Sequence, residues 1–288
     1  MKSPYGTRSS SAWPPWYGPI SAKPYAAPAI VVDVKGLRLY ELDTRRLATL
    51  TGMIAVLRGP SLDDGMCMEI GYATALGLPV IILTTDFQTY DPKGAGPAWE
   101  FPDPLVETVA HRIVHVSALG SPTTESSSRF AAFRDRNENQ ITTAIEEAVD
   151  TVLAAPTANA LGTVTRHGVF VEPSPYATHP GLTAAVHASG HTVRTAARLT
   201  GTHPLADATP DLAQAEAATH LVVDASGPET PPGAALLIGA AAARQQPVIA
   251  YQPQPVYTHA HGREPNWRNL MIQYASARHA TTCADVTR

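Results

Sequence analysis

Gly59-Pro60-Ser61-Leu62-Asp63-Asp64-Gly65-Met66-Cys67-Met68-Glu69-Ile70-Gly71-Tyr72-Ala73 reads as a strand-to-helix turn crowded with acids and glycines. Before it, Met53 to Leu57 is a short continuous apolar run, the composition of a parallel strand buried on both faces. After it, a helix is expected from about Asp64 to Leu76, stopped by Gly77 where a left-handed residue closes many helices. Pro79 to Leu83 is a second buried strand. Strand, helix, strand in that order predicts a right-handed parallel unit.

The same frame returns later without its acids. Adding 168 carries Gly59-Pro60 to Gly227-Pro228, Gly65 to Gly233, Ile70-Gly71 to Ile238-Gly239 and Pro79-Val80-Ile81 to Pro247-Val248-Ile249. Under that shift Asp63 becomes Pro231 and Glu69 becomes Leu237, while Asp43 keeps an acid in Asp211. The expected architecture is α/β, with two flavodoxin-like (Rossmann-like) domains with parallel sheets arranged as an internal pseudodimer. Residues 1–156 form the first copy and 157–288 the degenerate second, with linker composition from Pro156 to Gly162.

Outside this core the signals are coarser. Residues 1–28 read as an irregular arm, Ile30 to Val34 as a strand, and Leu39 to Leu50 as a helix. Leu105 to Val116 reads as a short helix and strand. Phe130 to Ala154 reads as a closing helix with Ile141, Ile145, Val149 and Val152 on its core-facing stripe. In the second copy, strands are expected at Val169–Val171, His191–Val193 and His220–Asp224, and helices over Pro180–Ser189, Asp211–Ala217 and Gly233–Arg244.

The 288 residues carry a net charge of −4, which supplies no basic field for a nucleic-acid polymer. Cys67 and Cys283 make neither a disulfide framework nor a metal spacing, which favours a reducing compartment. The start of the chain lacks a signal-peptide core, and the run from Ala234 to Ala243 is too short for a bilayer. These features predict a cytoplasmic protein with no membrane partner. His220, His259 and His261 offer no metal-ligand frame, Cys67 is read as core packing, and no cofactor or metal is expected. No Gly-x-Gly-x-x-Gly follows a strand, which argues against a dinucleotide-dependent oxidoreductase.

A turn beyond the C-terminal end of a parallel strand is where open α/β sheets bind small ligands. Asp63 and Asp64 stand at that turn, and Glu69 follows about a turn and a half into the helix. Gly65 between them has no side chain, which leaves room for a substrate. Two carboxylates in one cleft suit chemistry at a glycosidic carbon: one attacks or steadies the cationic carbon, and the other manages the leaving group's proton. The same spacing also fits an aspartate that only caps the helix and a glutamate that only faces solvent, and both readings stand at this point.

The pattern Asp-x-Gly-x-x-x-Glu-Ile-Gly-Tyr-Ala over Asp63–Ala73, followed by Ala75 to Ile81 and Thr85-Asp86-Phe87, resembles the nucleoside 2-deoxyribosyltransferase family. Tyr40-Glu41-Leu42-Asp43 extends the resemblance to residues 39–87, and a weaker form covers 169–275. It implies that Glu69 is a nucleophile forming a glycosyl-enzyme intermediate, that Asp63 handles the base, and that Asp64, Gly65 and Asp86 help bind substrate. Asn269-Leu270-Met271 resembles the segment that one family subunit contributes to its neighbour's site. By that resemblance Asn269 would complete the cleft of Asp63 and Glu69, or it caps the following helix, two compatible roles. Asp103 would be its reciprocal, facing Pro231 and Leu237.

The implied partners are a nucleoside or nucleotide and an acceptor base, with a further homodimer also open. Transfer of the sugar to another base is the leading expectation. Hydrolysis to free base is the alternative, and a non-catalytic nucleoside-binding protein is the alternative of another class. Arg58 stands where many members carry an aspartate. It either pairs with Asp63 or Asp64, the favoured reading, or meets a substrate phosphate. The family's tyrosine has Tyr5, Tyr17 and Tyr25 as unranked candidates, and Trp13 and Trp16 are read as anchors of the arm.

Overall fold

The computed structural model describes residues 36–59, 62–86, 88, 90, 100–116, 129–157, 165–255, 257 and 266–287, all within one compact unit. The expected strand over Ile30–Val34, the three candidate tyrosines, Trp13, Trp16, His259 and His261 lie outside them. Two parallel sheets carry the fold. The first has order β1-β2-β3, from β1 (Met53–Leu57), β2 (Val80–Thr84) and β3 (Arg112–His115). The second has order β5-β4-β6-β7-β8, from β4 (Val169–Glu172), β5 (Val193–Thr195), β6 (His220–Asp224), β7 (Val248–Tyr251) and β8 (Arg278–Ala280).

The 168-residue offset holds in hydrogen-bond register as well as in sequence. Ile54 pairs with Ile81 in the first sheet, and Val222 pairs with Ile249 in the second. The central helices, α2 (Asp64–Ala75) and α7 (Pro232–Ala243), have the same offset at both ends. Helix α1 (Gly36–Leu47) precedes β1, and α6 (Pro204–Ala217) precedes β6. Helices α3 (Pro104–Val109) and α8 (Leu270–Ala275) precede β3 and β8. Helix α4 (Arg129–Ala154) follows the first sheet, α5 (Pro180–Ala188) joins β4 to β5, and α9 (Cys283–Val286) ends the described chain.

One hydrophobic cluster runs from Ala55, Leu57 and Met68 through Leu236 and Ile238 to Val223 and Ala250, so both sheets share a core. Helix α7 is apolar around its whole circumference, with residues 232–241 all buried, as expected of a helix enclosed on every side. Its close partner is α2. A Cβ on Gly71 would collide with the Leu236 carbonyl, and one on Gly239 with the Met68 carbonyl. The two glycines thus let the backbones touch at reciprocal points. Gly71→Ala or Gly239→Ala meets main chain rather than a movable side chain, so each should lower stability by about 3 kcal/mol or more. Urea unfolding measures this, and a midpoint unchanged by either substitution would contradict the packing.

Most elements lie where the sequence places them, with three corrections. The strand expected at His191–Val193 is β5, two residues later at Val193–Thr195. Helix α6 begins at Pro204 rather than Asp211 and carries Pro210 within it. The stripe expected to seat α4 faces largely outward: Ile141, Ile145 and Val149 are exposed, while Ala144 and Ala148 are buried against Ile81, Leu83, Val114 and Val116. Of the expected residues only Val152 packs there. Small residues four apart let the helix lie close to the sheet, and the larger side chains flank the contact.

Candidate active site

Asp63 has extended backbone dihedrals and caps α2, its Oδ1 accepting from the Met66 amide at 2.8 Å. The capping reading therefore holds for Asp63, and one carboxylate oxygen remains beyond that bond. Glu69 is half-buried rather than fully solvated. Burial pushes its carboxyl above the usual carboxylate range, and the negative charges of Asp43 and Asp63 push it further the same way. Asp43 on α1, Asp63 at the turn and Glu69 on α2 thus lie close enough for their charges to act on one another, at the turn where the cleft is expected. Asp43 is a site neighbour that the sequence reading placed only on a preceding acidic helix.

The space above Gly65 is already occupied. A Cβ there would stand 2.7 Å from Asn269 Nδ2 and 3.1 Å from Asp63 Oδ1. The missing side chain makes room for the Asn269 amide, which corrects the expectation that it makes room for substrate. Asn269 also caps α8, its Oδ1 accepting from the Met271 amide at 2.9 Å. That bond fixes which end of the amide is left to face Gly65, and Nδ2 is the donor.

Asp64 turns away from this cleft. It is buried, and its Oδ2 accepts from the Thr230 amide at 3.3 Å, joining α2 to the loop after β6. Burial raises its carboxyl. Arg58 is exposed at the end of β1 and forms no ion pair with Asp63 or Asp64, so the favoured pairing is not made. Asp86 is buried and holds its own turn, accepting from the Gln88 amide at 3.0 Å and the Tyr90 hydroxyl at 2.8 Å. Burial, and then that contact, push the Tyr90 phenol up to about 12. Cys67 is enclosed in the core, where burial pushes its thiol up.

The counterpart of this cleft on α7 is closed by Asp103, expected there as the reciprocal of Asn269, together with Arg198 and Glu172, which the sequence did not single out. Asp103 caps α3 through Leu105 and stands over Gly233, where a Cβ would strike both its carboxylate and the Arg198 guanidinium. Arg198 is wholly buried. Its Nε and Nη2 donate to Asp103 at 3.1 and 3.2 Å, and its Nη1 donates to Glu172 and Asp211 at 3.1 and 3.3 Å. Nη2 also donates to Glu172 Oε1. Asp211 further accepts from the Ala197 and Arg198 amides, both at 2.9 Å. Where α2 presents Asp63 and Glu69 to a cleft, α7 presents Pro231 and Leu237 beside a buried guanidinium.

No group of histidines, cysteines and acids among the described residues could hold a metal ion, and no described helix is long and apolar enough to cross a membrane. A parallel α/β sheet whose strand-to-helix turn carries two carboxylates belongs to the Rossmann-like architectures that bind small molecules at the strand ends. Residues 22–160 match the family model described as nucleoside 2-deoxyribosyltransferase, a transferase family, and this segment is what ties the chain to it by similarity. The matched segment contains Asp63 and Glu69. Searches of curated proteins and of solved structures gave no match.

Proposed function

We propose that the chain cleaves the N-glycosidic bond of a nucleoside or nucleotide and passes the (deoxy)ribosyl group to another base. The observation that carries this reading is the approach of Asn269 and Asp63 to the space over Gly65, with Glu69 on the same helix near enough to Asp63 for their charges to interact, inside the family-matched segment. In the first half-reaction a Glu69 oxygen bonds C1′ as the C1′–N bond breaks, its electron pair leaving with the base, and Asp63 supplies a proton to that base. In the second half-reaction a nitrogen of the incoming base attacks C1′, gives up its proton to Asp63 and releases the Glu69 carboxylate. Two inversions give net retention.

In this reading the two halves are copies of one domain packed as a pseudodimer, and only the first works. The common offset of α2 and α7 and of the strand registers supports it. The second half serves the first by supplying Asn269. Asn269→Ala should lower kcat/KM by about 10²-fold, the scale of a misplaced reacting group, with folding intact by circular dichroism. Unaltered kinetics would remove Asn269 from the site.

Arg58 gives water a place as the alternative acceptor. It stands where the resemblance has an aspartate, and it is exposed and bound to neither Asp63 nor Asp64. Incubating the protein with purine and pyrimidine nucleosides and their 5′-monophosphates, with and without a second base, separates the outcomes by chromatography. A new nucleoside formed only with the second base marks transfer. Free base formed without it marks hydrolysis, and neither product under any condition removes the catalytic reading.

A further inference from the structure

In the second sheet β4 leads outward to β5 while β6 leads to β7 on the other side, so the chain reverses direction between β4 and β6. The crevice beyond the C-terminal ends of strands at such a reversal is where open α/β sheets take ligands. A cavity of about 510 Å³ lies there, within the range of small-molecule sites. Its walls come from all three loops: Ala177 and His179 after β4, Ser226 and Gly227 after β6, and Gln252 with its neighbours after β7.

The chemistry of these walls is specific. Gln252 is 4% exposed and Ser226 is 7% exposed, and neither Gln252 Oε1 nor Ser226 Oγ has a hydrogen-bond partner among the described residues. Two buried polar atoms left unmade beside one cavity are costly unless something else satisfies them. His179 Nδ1 lies 2.6 Å from Asp224 Oδ2, and its ring meets Tyr251 edge-on at 5.4 Å. Asp224 Oδ1 accepts from the Ser226 amide at 3.0 Å, so both its oxygens are engaged. The nearby Arg268 guanidinium is held by the Ala225 and Gly227 carbonyls, at 2.7 and 2.8 Å from Nη2. Among the described residues no cation of the wall is left for a phosphate.

We infer that this cavity is a second ligand site, for an uncharged nucleobase or nucleoside. A carboxamide flanked by a hydroxyl matches the amine-and-ring-nitrogen edge of a base, as glutamine does with adenine, while Ala177 and Pro253 supply apolar wall. The site shares no residue with the Glu69 cleft and stands or falls separately from it. It is nevertheless linked to that cleft, because Arg268, the chain neighbour of Asn269, grips the loop that continues to Thr230, the partner of Asp64.

The test is calorimetric titration of the full chain carrying Glu69→Ala with adenosine and with adenosine 5′-monophosphate, repeated with Gln252→Leu and with Asp63→Ala added singly. Adenosine should bind an event that Gln252→Leu weakens at least 10-fold and Asp63→Ala leaves alone, with the monophosphate at least 10-fold weaker there. Without ligand, Gln252→Leu should melt no lower than its parent, since it removes an unpartnered oxygen; Ser226→Ala provides a second variant should it fail to fold. Binding that only Asp63→Ala weakens would overturn the second site and spare the Glu69 reading. Binding that only Gln252→Leu weakens would do the reverse for ligand recognition at Asp63. Tighter binding of the monophosphate at the Gln252 site would overturn the uncharged class.

Discussion

Arg198→Ala is expected to destabilise the fold by about 3–5 kcal/mol, the penalty of breaking a buried ion pair from one side. The substitution leaves Asp103, Glu172 and Asp211 facing one another, each at most 5% exposed in its side chain. A lysine offers one ammonium in place of a planar fork and cannot serve three carboxylates in these directions, so Arg198→Lys should recover only part of the loss. The cluster joins Asp103 before α3 to β4 and α6, so its failure loosens both halves together. Chemical denaturation measures this, and a wild-type midpoint for Arg198→Ala would refute the clamp. The same cluster sets a pH dependence. Burial pushes Glu172 up to about 7 against the opposing pull of Arg198. Between the ordinary 4.5 and about 7 the folded chain keeps a proton that the unfolded chain has released. Its stabilising contribution is complete below 4.5 and is lost as pH rises through about 7. Glu172→Gln should flatten that decline.

Glu69→Ala should lower turnover by about 10⁴-fold or more, because in the proposed mechanism it removes the atom that bonds C1′. Glu69→Gln should be nearly as damaging, since an amide keeps the shape but cannot attack. As the proposed nucleophile the carboxyl must be ionised to react, and burial, then the charges of Asp43 and Asp63, raise it. The acid limb of kcat/KM should therefore lie above the usual carboxylate range, with activity gained as pH rises through it. Asp43→Asn removes one of the charges responsible and should move that limb to lower pH while sparing the fold, since among the described residues Asp43 makes an exposed ion pair with Arg46. A substrate-derived mass increment on wild-type protein, absent from Glu69→Ala, would identify the intermediate. Wild-type turnover in Glu69→Ala would eliminate Glu69 as the nucleophile.

The strands and central helices were legible because their signals are local. Met53–Leu57 and His220–Asp224 are short apolar runs between turns, and Gly59 and Gly77 take positive φ of 69° and 75° at the turn and the helix stop. The site was legible in part for the same reason: Asp63, Gly65 and Glu69 lie on one turn and one helix. What stayed hidden depends on tertiary contact. Arg198 lies in an aperiodic stretch, where arginine ordinarily means surface, and only the approach of Asp103, Glu172 and Asp211 makes it a core residue. The seat of α4 was missed because alanine contributes little to a hydrophobic stripe read by size, although Ala144 and Ala148 make the contact. The occupant of the space over Gly65 comes from 204 positions along the chain, at Asn269.

Under the role proposed for Asn269, that last placement sets the order of the reaction in protein concentration. Asn269 and Glu69 are carried by one polypeptide, so completing the cleft is a unimolecular event governed by a fixed internal concentration rather than by encounter between molecules. Specific activity per chain should then hold constant on dilution, with one competent centre for every polypeptide and no lag for assembly.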